Sequence, residues 1–288
     1  MLHQTGNSVL DLLPSSELRV LKAELRSLPL HIGDTVAFQD QPIDRVFFPE
    51  KGLIAVEHWS TTAEAVTLEL IGAGGILGIE VLLDVPPLAI GRAFVAVPGQ
   101  AQYLPAARLR ALSPLLPELR HYIAVAARAR MLEMSQTALC HARHSLESRC
   151  ARWLLMLHDR LGTDEIPVTH DFLARALGVR RAGVTCALGG FQETGLISQA
   201  RAQLHILNRE GLAAASCGCH AELEHRLAAL WAAPRTPLER VPVRPANIRL
   251  AIHAALPDEN ATADTLRRAA IVQVCRDMIR RCSAVLPQ

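Results

Sequence analysis

Residues 169–197 read THDFLARALGVRRAGVTCALGGFQETGLI, and this stretch decides the fold of the second half of the chain. Thr169 is a good helix N-cap, and apolar residues recur at helical spacing up to Gly178, a residue at which helices commonly end. A second apolar pattern follows, and Arg180 and Arg181 fall outside it. Two short helices joined by a tight glycine turn indicate a helix-turn-helix, whose second helix enters the major groove of DNA.

The neighbouring segments extend this motif. Residues 147–219 contain, in order, ESRCARWLLMLHDR, FLARALGVRRAGVT, FQETGLI and LHILNREGL. In this order and spacing the region resembles the winged-helix end of Crp/Fnr-type bacterial transcription regulators. The resemblance implies a DNA-binding domain over residues 145–213, with a β-wing in LISQARAQLHIL and a wing tip at residues 200–202.

The predicted DNA contacts follow from the position of each residue in this motif. Arginine suits base reading because its planar fork matches the two acceptors of guanine. The resemblance makes Arg181 the base-reading arginine, while Arg180 reaches phosphate or base and Thr185 reaches a thymine methyl or a phosphate. The complete predicted set is Thr169, Arg180, Arg181, Gly183, Thr185, Gln192 and Arg201.

The recognition helix departs from the usual pattern of the family. Gly183 stands where relatives prefer Ser or Thr, and Cys186 stands where some branches have another DNA-contacting residue. Gly183, Gly189 and Gly190 each cost a helix up to about 1 kcal/mol relative to alanine. We therefore expect this helix to be loosely formed until it meets DNA.

The N-terminal part has the pattern of a β domain. Short runs that alternate apolar and polar residues are separated by turn residues, and they read HIGDTVAF, RVFFPEKGLIAVEH, AVTLELIG and RAFVAVPGQAQYL. This pattern predicts an antiparallel sandwich or jelly roll. The resemblance implies a cyclic-nucleotide-binding-like β-roll over residues 11–113. A helix over residues 11–28, capped by Ser15 or Ser16, is predicted to precede the strands.

Residues 114–144 return to helical spacing and include a regular apolar stripe. Its members fall at alternating three- and four-residue steps, as in a coiled coil, and are Ala124, Ala127, Met131, Met134 and Ala138. Such a stripe can pack on the β-roll of the same chain or on a second copy. The resemblance implies a dimer helix, which also fits a two-fold DNA site.

An effector site is only weakly indicated. Cyclic-nucleotide binders of the family carry a Gly-Glu turn and an Arg-Ser/Thr pair that hold the ribose and the cyclic phosphate. The corresponding residues here are Gly78, Glu80 and Arg92, but Ile79 separates the first two and Ala93 follows Arg92. Without that hydroxyl a phosphate loses a neutral donor. We therefore expect no tight binding of cyclic AMP.

Cysteine and histidine residues were weighed as sites for redox or metal sensing. Cys217 and Cys219 lie in the run CGCH, and Cys140 precedes His144 by four residues. Neither pair is the C-x-x-C arrangement of structural zinc. The iron–sulfur members of the family use N-terminal cysteines, whereas this chain has none before Cys140. We expect isolated, reduced thiols and predict no metal and no cofactor.

Charge distribution, hydropathy and motifs limit the classes of protein to which this chain can belong. The net charge is +2, with 11 basic against 14 acidic residues over 1–140 and an excess of basic residues beyond that. An acidic N-terminal part and a basic C-terminal part are consistent with a sensor domain followed by a nucleic-acid-binding domain. No apolar run has the length of a membrane span and no signal peptide is evident, so a cytoplasmic location is expected. No catalytic motif appears, and no enzyme activity is expected.

These observations predict an α+β protein: a β-roll sensor (11–113), a dimer helix (114–144), a winged helix (145–213) and a C-terminal extension (214–288) whose role is unknown. The extension is expected to contain a helix at 220–232, a proline- and arginine-rich linker at 234–249 and a helix at 258–285. The predicted function is transcription regulation by a homodimer on a two-fold operator, with RNA polymerase as a further candidate partner. The alternative is a module that senses a ligand or partner and has lost specific DNA binding.

Overall fold

A computed structural model describes residues 4–62, 64–83, 86–201 and 203–233. The predicted linker at 234–249, the predicted helix at 258–285 and the wing-tip residue Ala202 lie outside the described residues. Among the described helices, none is both long enough and apolar enough to cross a membrane.

The N-terminal region is built on a five-stranded antiparallel sheet. Two helices, α1 (Ser8–Asp11) and α2 (Ser15–Lys22), precede the strands β1 (Arg26–Leu30), β2 (Thr35–Ala37), β3 (Arg45–Trp59), β4 (Ala65–Ile71) and β5 (Arg92–Pro105). The sheet order is β1-β5-β3-β4, and β2 also pairs with β5. The register of the long β3–β5 pair shifts between Pro49 and Ile54, where bulges bend the strands.

The predicted strands are confirmed, but the prediction of a helix over residues 11–28 is wrong at both ends. The helix α2 begins after Pro14, which acts as its N-cap in place of a serine, and ends at Lys22. Leu28 lies in β1, opposite Ala101 of β5. Local spacing favoured a helix here, but pairing with β5 decides the conformation, as tertiary context often overrides propensity.

A long helix connects the sheet to the second half of the chain. After α3 (Ala106–Leu112) and a 3₁₀ turn, α4 runs from Pro117 to Arg143, with proline in its first turn as expected. His144 is extended and ends the helix. Ser145 then caps α5 (Leu146–Leu161) by accepting a hydrogen bond from the Ser148 amide, as its sequence predicts.

The second half forms a three-helix unit with a small sheet. After α5 come β6 (Glu165–Ile166), α6 (His170–Leu177), α7 (Arg181–Glu193), β7 (Ile197–Ala200) and β8 (Gln203–Ile206), and the sheet order is β6-β8-β7. Thr169 caps α6, and Gly178 ends it at φ +62°, a conformation that glycine adopts without strain. Two further helices follow, α8 (Arg209–Ala215) and α9 (Cys219–Ala232).

The core connects the two halves of the molecule. One apolar cluster joins Leu53 and Leu70 of the sheet to Trp153 of α5 and Phe172 of α6. A second cluster packs α2 and α4 under the sheet. The helices and the antiparallel sheet together confirm the α+β class, including a winged helix after the sheet and a helix at 219–232.

Candidate functional site

The N-terminal end of α7 presents two exposed arginines. Arg180 is the N-cap residue and Arg181 is the first residue of the helix. The side chain of Arg181 is 66% exposed, and its nearest acidic atom, Asp171 Oδ2, lies 3.5 Å away on a side chain that is itself 57% exposed. An exposed ion pair of this kind contributes little free energy, because water screens both charges. The Arg181 guanidinium is therefore free to turn toward an external anion.

Thr185 lies one turn further along α7 and is tied to a residue that sequence reasoning missed. The His170 ring lies between the recognition helix and the wing, with Nδ1 3.0 Å from Thr185 Oγ1 and Nε2 2.9 Å from Gln199 Oε1. His170 thus holds α7 and β7 in one relative position. Its partners are 15 and 29 residues away, so no local spacing signals this role.

The other predicted contacts are dispersed. The Thr169 hydroxyl accepts a hydrogen bond from the Phe172 amide at 3.1 Å, so it is engaged as a helix cap. Gln192 lies near the C-terminal end of α7, about 16 Å along the axis from Arg181. Arg201 is exposed in the turn after β7. Only Arg180, Arg181 and Thr185 form one contiguous surface at the start of the helix.

The glycines of α7 have a structural explanation. Gly183 is partly buried, and a Cβ at this position would lie 3.0 Å from Leu146 Cδ2 of α5. Gly183 therefore faces the body of the domain and permits close packing of the two helices. The helix α7 is continuous from Arg181 to Glu193, so the expectation of a loosely formed helix finds no support in its geometry.

The structure separates the three predicted effector residues. Gly78 and Glu80 line a cavity of about 10 Å³, and Arg130 Nη1 donates to Glu80 Oε1 at 2.6 Å. Arg92 lies instead on an open surface beside Trp59. The cavity at Gly78 holds at most about one water molecule. A nucleotide has no preformed space among these residues.

Arg92 is also paired within the chain. Its Nη2 lies 3.0 Å from Oε2 of Glu57, a carboxylate on β3 whose side chain is completely buried. The other oxygen of Glu57 accepts a hydrogen bond of 2.7 Å from Arg175 Nε on α6. One buried carboxylate thereby binds an arginine of the sheet and an arginine of the helix-turn-helix. Residues 57 and 175 are 118 positions apart, and nothing in the sequence links them.

A larger cavity of about 360 Å³ lies where the sheet, α4, α5 and α9 meet, and charged residues line it. Arg130 bridges Glu69 and Glu80, while Arg160 donates two hydrogen bonds of 2.8 Å to Glu133. Burial raises the pKa of Glu69 to about 7 despite the attraction of Arg130. This network holds α4 and α5 against the sheet.

The predicted dimer stripe is largely exposed on the described part of the chain. Met131 is 60% exposed, Ala124 and Ala138 are exposed, and Ala127 and Met134 are partly buried. A different face of α4 packs against α9, where Trp231 stacks on Tyr122 with ring centroids 6.3 Å apart. The described part of the C-terminal extension therefore leaves Ala124, Met131 and Ala138 of the stripe exposed.

The expectation of isolated thiols is wrong for four residues. Cys140 and His144 at the end of α4 meet Cys217 and Cys219 at the start of α9, and their ligand atoms all lie within 4.8 Å of one another. The two halves of this cluster are more than 70 positions apart, and the packing of α9 on α4 brings them together. Neither half by itself has the ligand set of a metal site, so the sequence does not predict one.

A comparison with family models matches residues 148–215 to the Crp-like helix-turn-helix domain. Cys217 and Cys219 lie just beyond the matched residues. Among curated proteins, the chain is 26% identical over 196 residues to the global nitrogen regulator of Synechococcus elongatus, an alignment that covers 63% of this chain and 87% of that protein.

Solved structures show the same similarity. A Crp/Fnr-family transcriptional regulator from Thermus thermophilus is 26% identical with a TM-score of 0.56, covering 66% of this chain and 98% of that one. FixK2 from Bradyrhizobium japonicum has a TM-score of 0.59 at 14% identity, covering 67% of this chain and 98% of that one. At that identity the second comparison supports the fold alone. About a third of the present chain lies outside both alignments.

Proposed function

We propose that the chain, a transcription regulator of the Crp/Fnr type, binds a two-fold operator as a homodimer through α7 and receives its input at the β-roll. The observation that carries the proposal is the pair of exposed arginines at the start of a helix that is itself held rigidly. Arg180 and Arg181 lie outside the core, while Val184 and Leu188 bury the opposite face of α7. This arrangement suits insertion of the N-terminal end of the helix into a major groove.

Arg181 is proposed to read a base and Arg180 to contact phosphate. Arg181 begins the helix and can present its planar fork to guanine, whereas Arg180 is the extended residue that precedes the helix. Thr185 adds a short contact one turn away, and Arg201 at the wing can reach a neighbouring phosphate. Contacts with phosphate position the domain, and contacts with base edges give specificity.

The homodimer is proposed from the exposed stripe on α4. Two copies of this helix would bury Met131 and the small residues beside it, and small side chains permit close approach. A two-fold dimer places two copies of α7 on successive major grooves of one DNA face. This geometry predicts an inverted-repeat operator.

The input is proposed not to be a cyclic nucleotide. Arg92 shares the carboxylate of Glu57 with Arg175, Glu80 is bound by Arg130, and these residues face different spaces. A phosphate at Arg92 would lie close to the negative charge of Glu57, which opposes its binding. The larger cavity beside Glu69 and Arg160 offers more room for an input at the β-roll.

Selection of bound fragments from sheared genomic DNA tests the proposal. The purified full chain, with and without cell extract, should enrich inverted repeats whose half-sites are about one helical turn apart. Arg110→Ala is the matched control, since Arg110 is an exposed arginine on α3. Enrichment that survives in the Arg180→Ala/Arg181→Ala variant would place the DNA contact elsewhere.

The alternative function, a sensing module without specific DNA binding, makes the opposite prediction. The glycines of α7 favour it, because Gly189 and Gly190 lower the intrinsic stability of the helix. Under this alternative no sequence is enriched with or without extract, while the chain still binds a ligand or a partner.

Calorimetry with cyclic AMP and cyclic GMP tests the nature of the input. Micromolar binding that disappears in Arg92→Ala would restore a second-messenger mechanism.

A further inference from the structure

We propose that Cys140, His144, Cys217 and Cys219 form a tetrahedral binding site for a zinc ion that ties the end of the dimer helix to the helix after the wing. Zinc prefers four ligands from cysteine sulfur and histidine nitrogen, and a Cys₃His set is one of its common structural combinations. The site lies outside the predicted DNA surface and the β-roll, so it is independent of the proposed function.

The distances fit a single ion. Tetrahedral zinc with Zn–S about 2.3 Å and Zn–N about 2.0 Å places two sulfurs about 3.8 Å apart and a sulfur and a nitrogen about 3.5 Å apart. Cys140 Sγ and Cys217 Sγ lie 3.8 Å apart, and Cys219 Sγ and His144 Nε2 lie 3.3 Å apart. All four atoms fall within 4.8 Å of one another. A [4Fe–4S] cluster, which binds each protein ligand to a separate iron, needs ligands that lie farther apart.

The elements that supply the ligands have the geometry of a structural site. Cys140 lies in the last turn of α4, and His144 is the extended residue that directly follows the helix. Cys217 and Cys219 come from the short connection that begins α9. Cys140 and Cys217 are buried and the other two ligands are partly buried. A bound ion would link the end of α4 to the start of α9, and the winged helix would lie in the loop between these two points.

A buried arginine supplies an independent argument from charge. Arg152 of α5 is only 1% exposed, and its Nη1 donates to Thr137 Oγ1 at 3.4 Å. Its Nε and Nη2 have no hydrogen-bond partner among the described residues. An unpaired buried cation is strongly unfavourable. Three thiolates, a neutral histidine and Zn²⁺ carry a net charge of −1, which would compensate Arg152.

Further contacts favour a thiolate ligand set over reactive free thiols. Gln136 Nε2, buried on α4, lies 3.8 Å from Cys140 Sγ and can donate to a thiolate. The thiolate is the form of cysteine that binds zinc, so binding of the ion stabilises the thiolate form of these side chains.

The proposed zinc site is tested on the full chain, which is expressed with zinc and purified without a chelator. We expect close to one zinc per chain by elemental mass spectrometry. After exchange into cobalt, the spectrum should show thiolate charge transfer and the intense visible bands of a tetrahedral site. Cys140→Ser, Cys219→Ser and His144→Ala should each lose stoichiometric metal. The variant His144→Cys should keep it, with a cobalt spectrum shifted toward an all-sulfur site.

Two controls address the remaining cysteines. Cys186→Ser removes the exposed thiol of α7, and Cys275→Ser/Cys282→Ser removes the two cysteines outside the described residues; both variants should retain one ion per chain. Chelation should lower the melting temperature of the parent chain but not that of Cys219→Ser. Substoichiometric metal, an iron–sulfur spectrum, a Cys140–Cys217 disulfide in place of metal, or metal loss in either control would overturn the proposal.

Discussion

Arginines occur in two contrasting settings in this molecule. At the start of α7, Arg181 faces solvent with only a weak, exposed acidic neighbour. On the sheet, Arg92 is bound by Glu57, whose buried carboxylate also holds Arg175 of α6. The same type of side chain is therefore available to an external ligand in one region and bound to a buried carboxylate of the chain in the other. Its partners, more than its position in a motif, decide what an arginine can bind.

The largest expected effect comes from removing the free arginines. In Arg180→Ala/Arg181→Ala, a dimer loses four DNA contacts, and we expect operator affinity to fall by about 4 kcal/mol, roughly a thousandfold. Arg181→Ala alone should relax preference at one position of each half-site. Arg180→Ala alone should weaken all sequences similarly and reduce the salt dependence. Fluorescence anisotropy over a salt series measures these effects, with Arg110→Ala as the control.

In the proposed homodimer, the apolar stripe on α4 joins two such surfaces. Met131→Glu would place like charges across the proposed two-fold seam without a partner. Sedimentation should show monomers, and operator affinity should fall by about a hundredfold because the second half-site no longer adds to binding. The control Glu118→Gln changes charge at the start of the same helix. A Met131→Glu chain that stays dimeric would move the interface away from α4.

Removing the carboxylate that binds Arg92 should have a smaller effect, which is a loss of folding stability. Glu57→Gln removes the charge that binds Arg92 and Arg175, and we expect a loss of about 2 kcal/mol in the free energy of unfolding. The loss is moderate because both guanidinium groups are at least one-third exposed, so water takes up their charge. Urea denaturation of Glu57→Gln against Glu64→Gln, an exposed glutamate, measures it. Equal stability of the two variants would mean that Glu57 does not hold the helix-turn-helix to the sheet.

A further effect is a pH dependence of stability that comes from Glu69 in the cavity network. Burial raises the pKa of Glu69 from 4.5 to about 7 in the folded chain. The folded state then binds more protons than the unfolded state between these values, so its stability falls as pH rises through this window. The slope is at most about 1.4 kcal/mol per pH unit. Glu69→Gln should remove this contribution and Glu64→Gln should retain it, as thermal melts from pH 4.5 to 7.5 would reveal.

The pattern of residues predicted much of the local structure. The strands between residues 31 and 105, the caps Ser145 and Thr169, the turn at Gly178 and the helix α5 follow from spacing and from a few cap and turn residues. These features depend on interactions within about one turn or one hairpin, which the sequence displays directly. The prediction of a helix over residues 11–28 was wrong because β1 pairs with β5, and that partner is more than seventy positions away.

Periodicity and cap residues predict the helix-turn-helix, the exposed arginine pair and the α+β class, because they encode which face of each element is buried. Three other features depend on how the elements pack on one another: the pairing of Glu57 with Arg92 and Arg175, the bridge of His170, and the cluster of Cys140, His144, Cys217 and Cys219. Each of these contacts joins residues that lie on different elements. The packing of one element on another brings them together, and no local spacing contains that information.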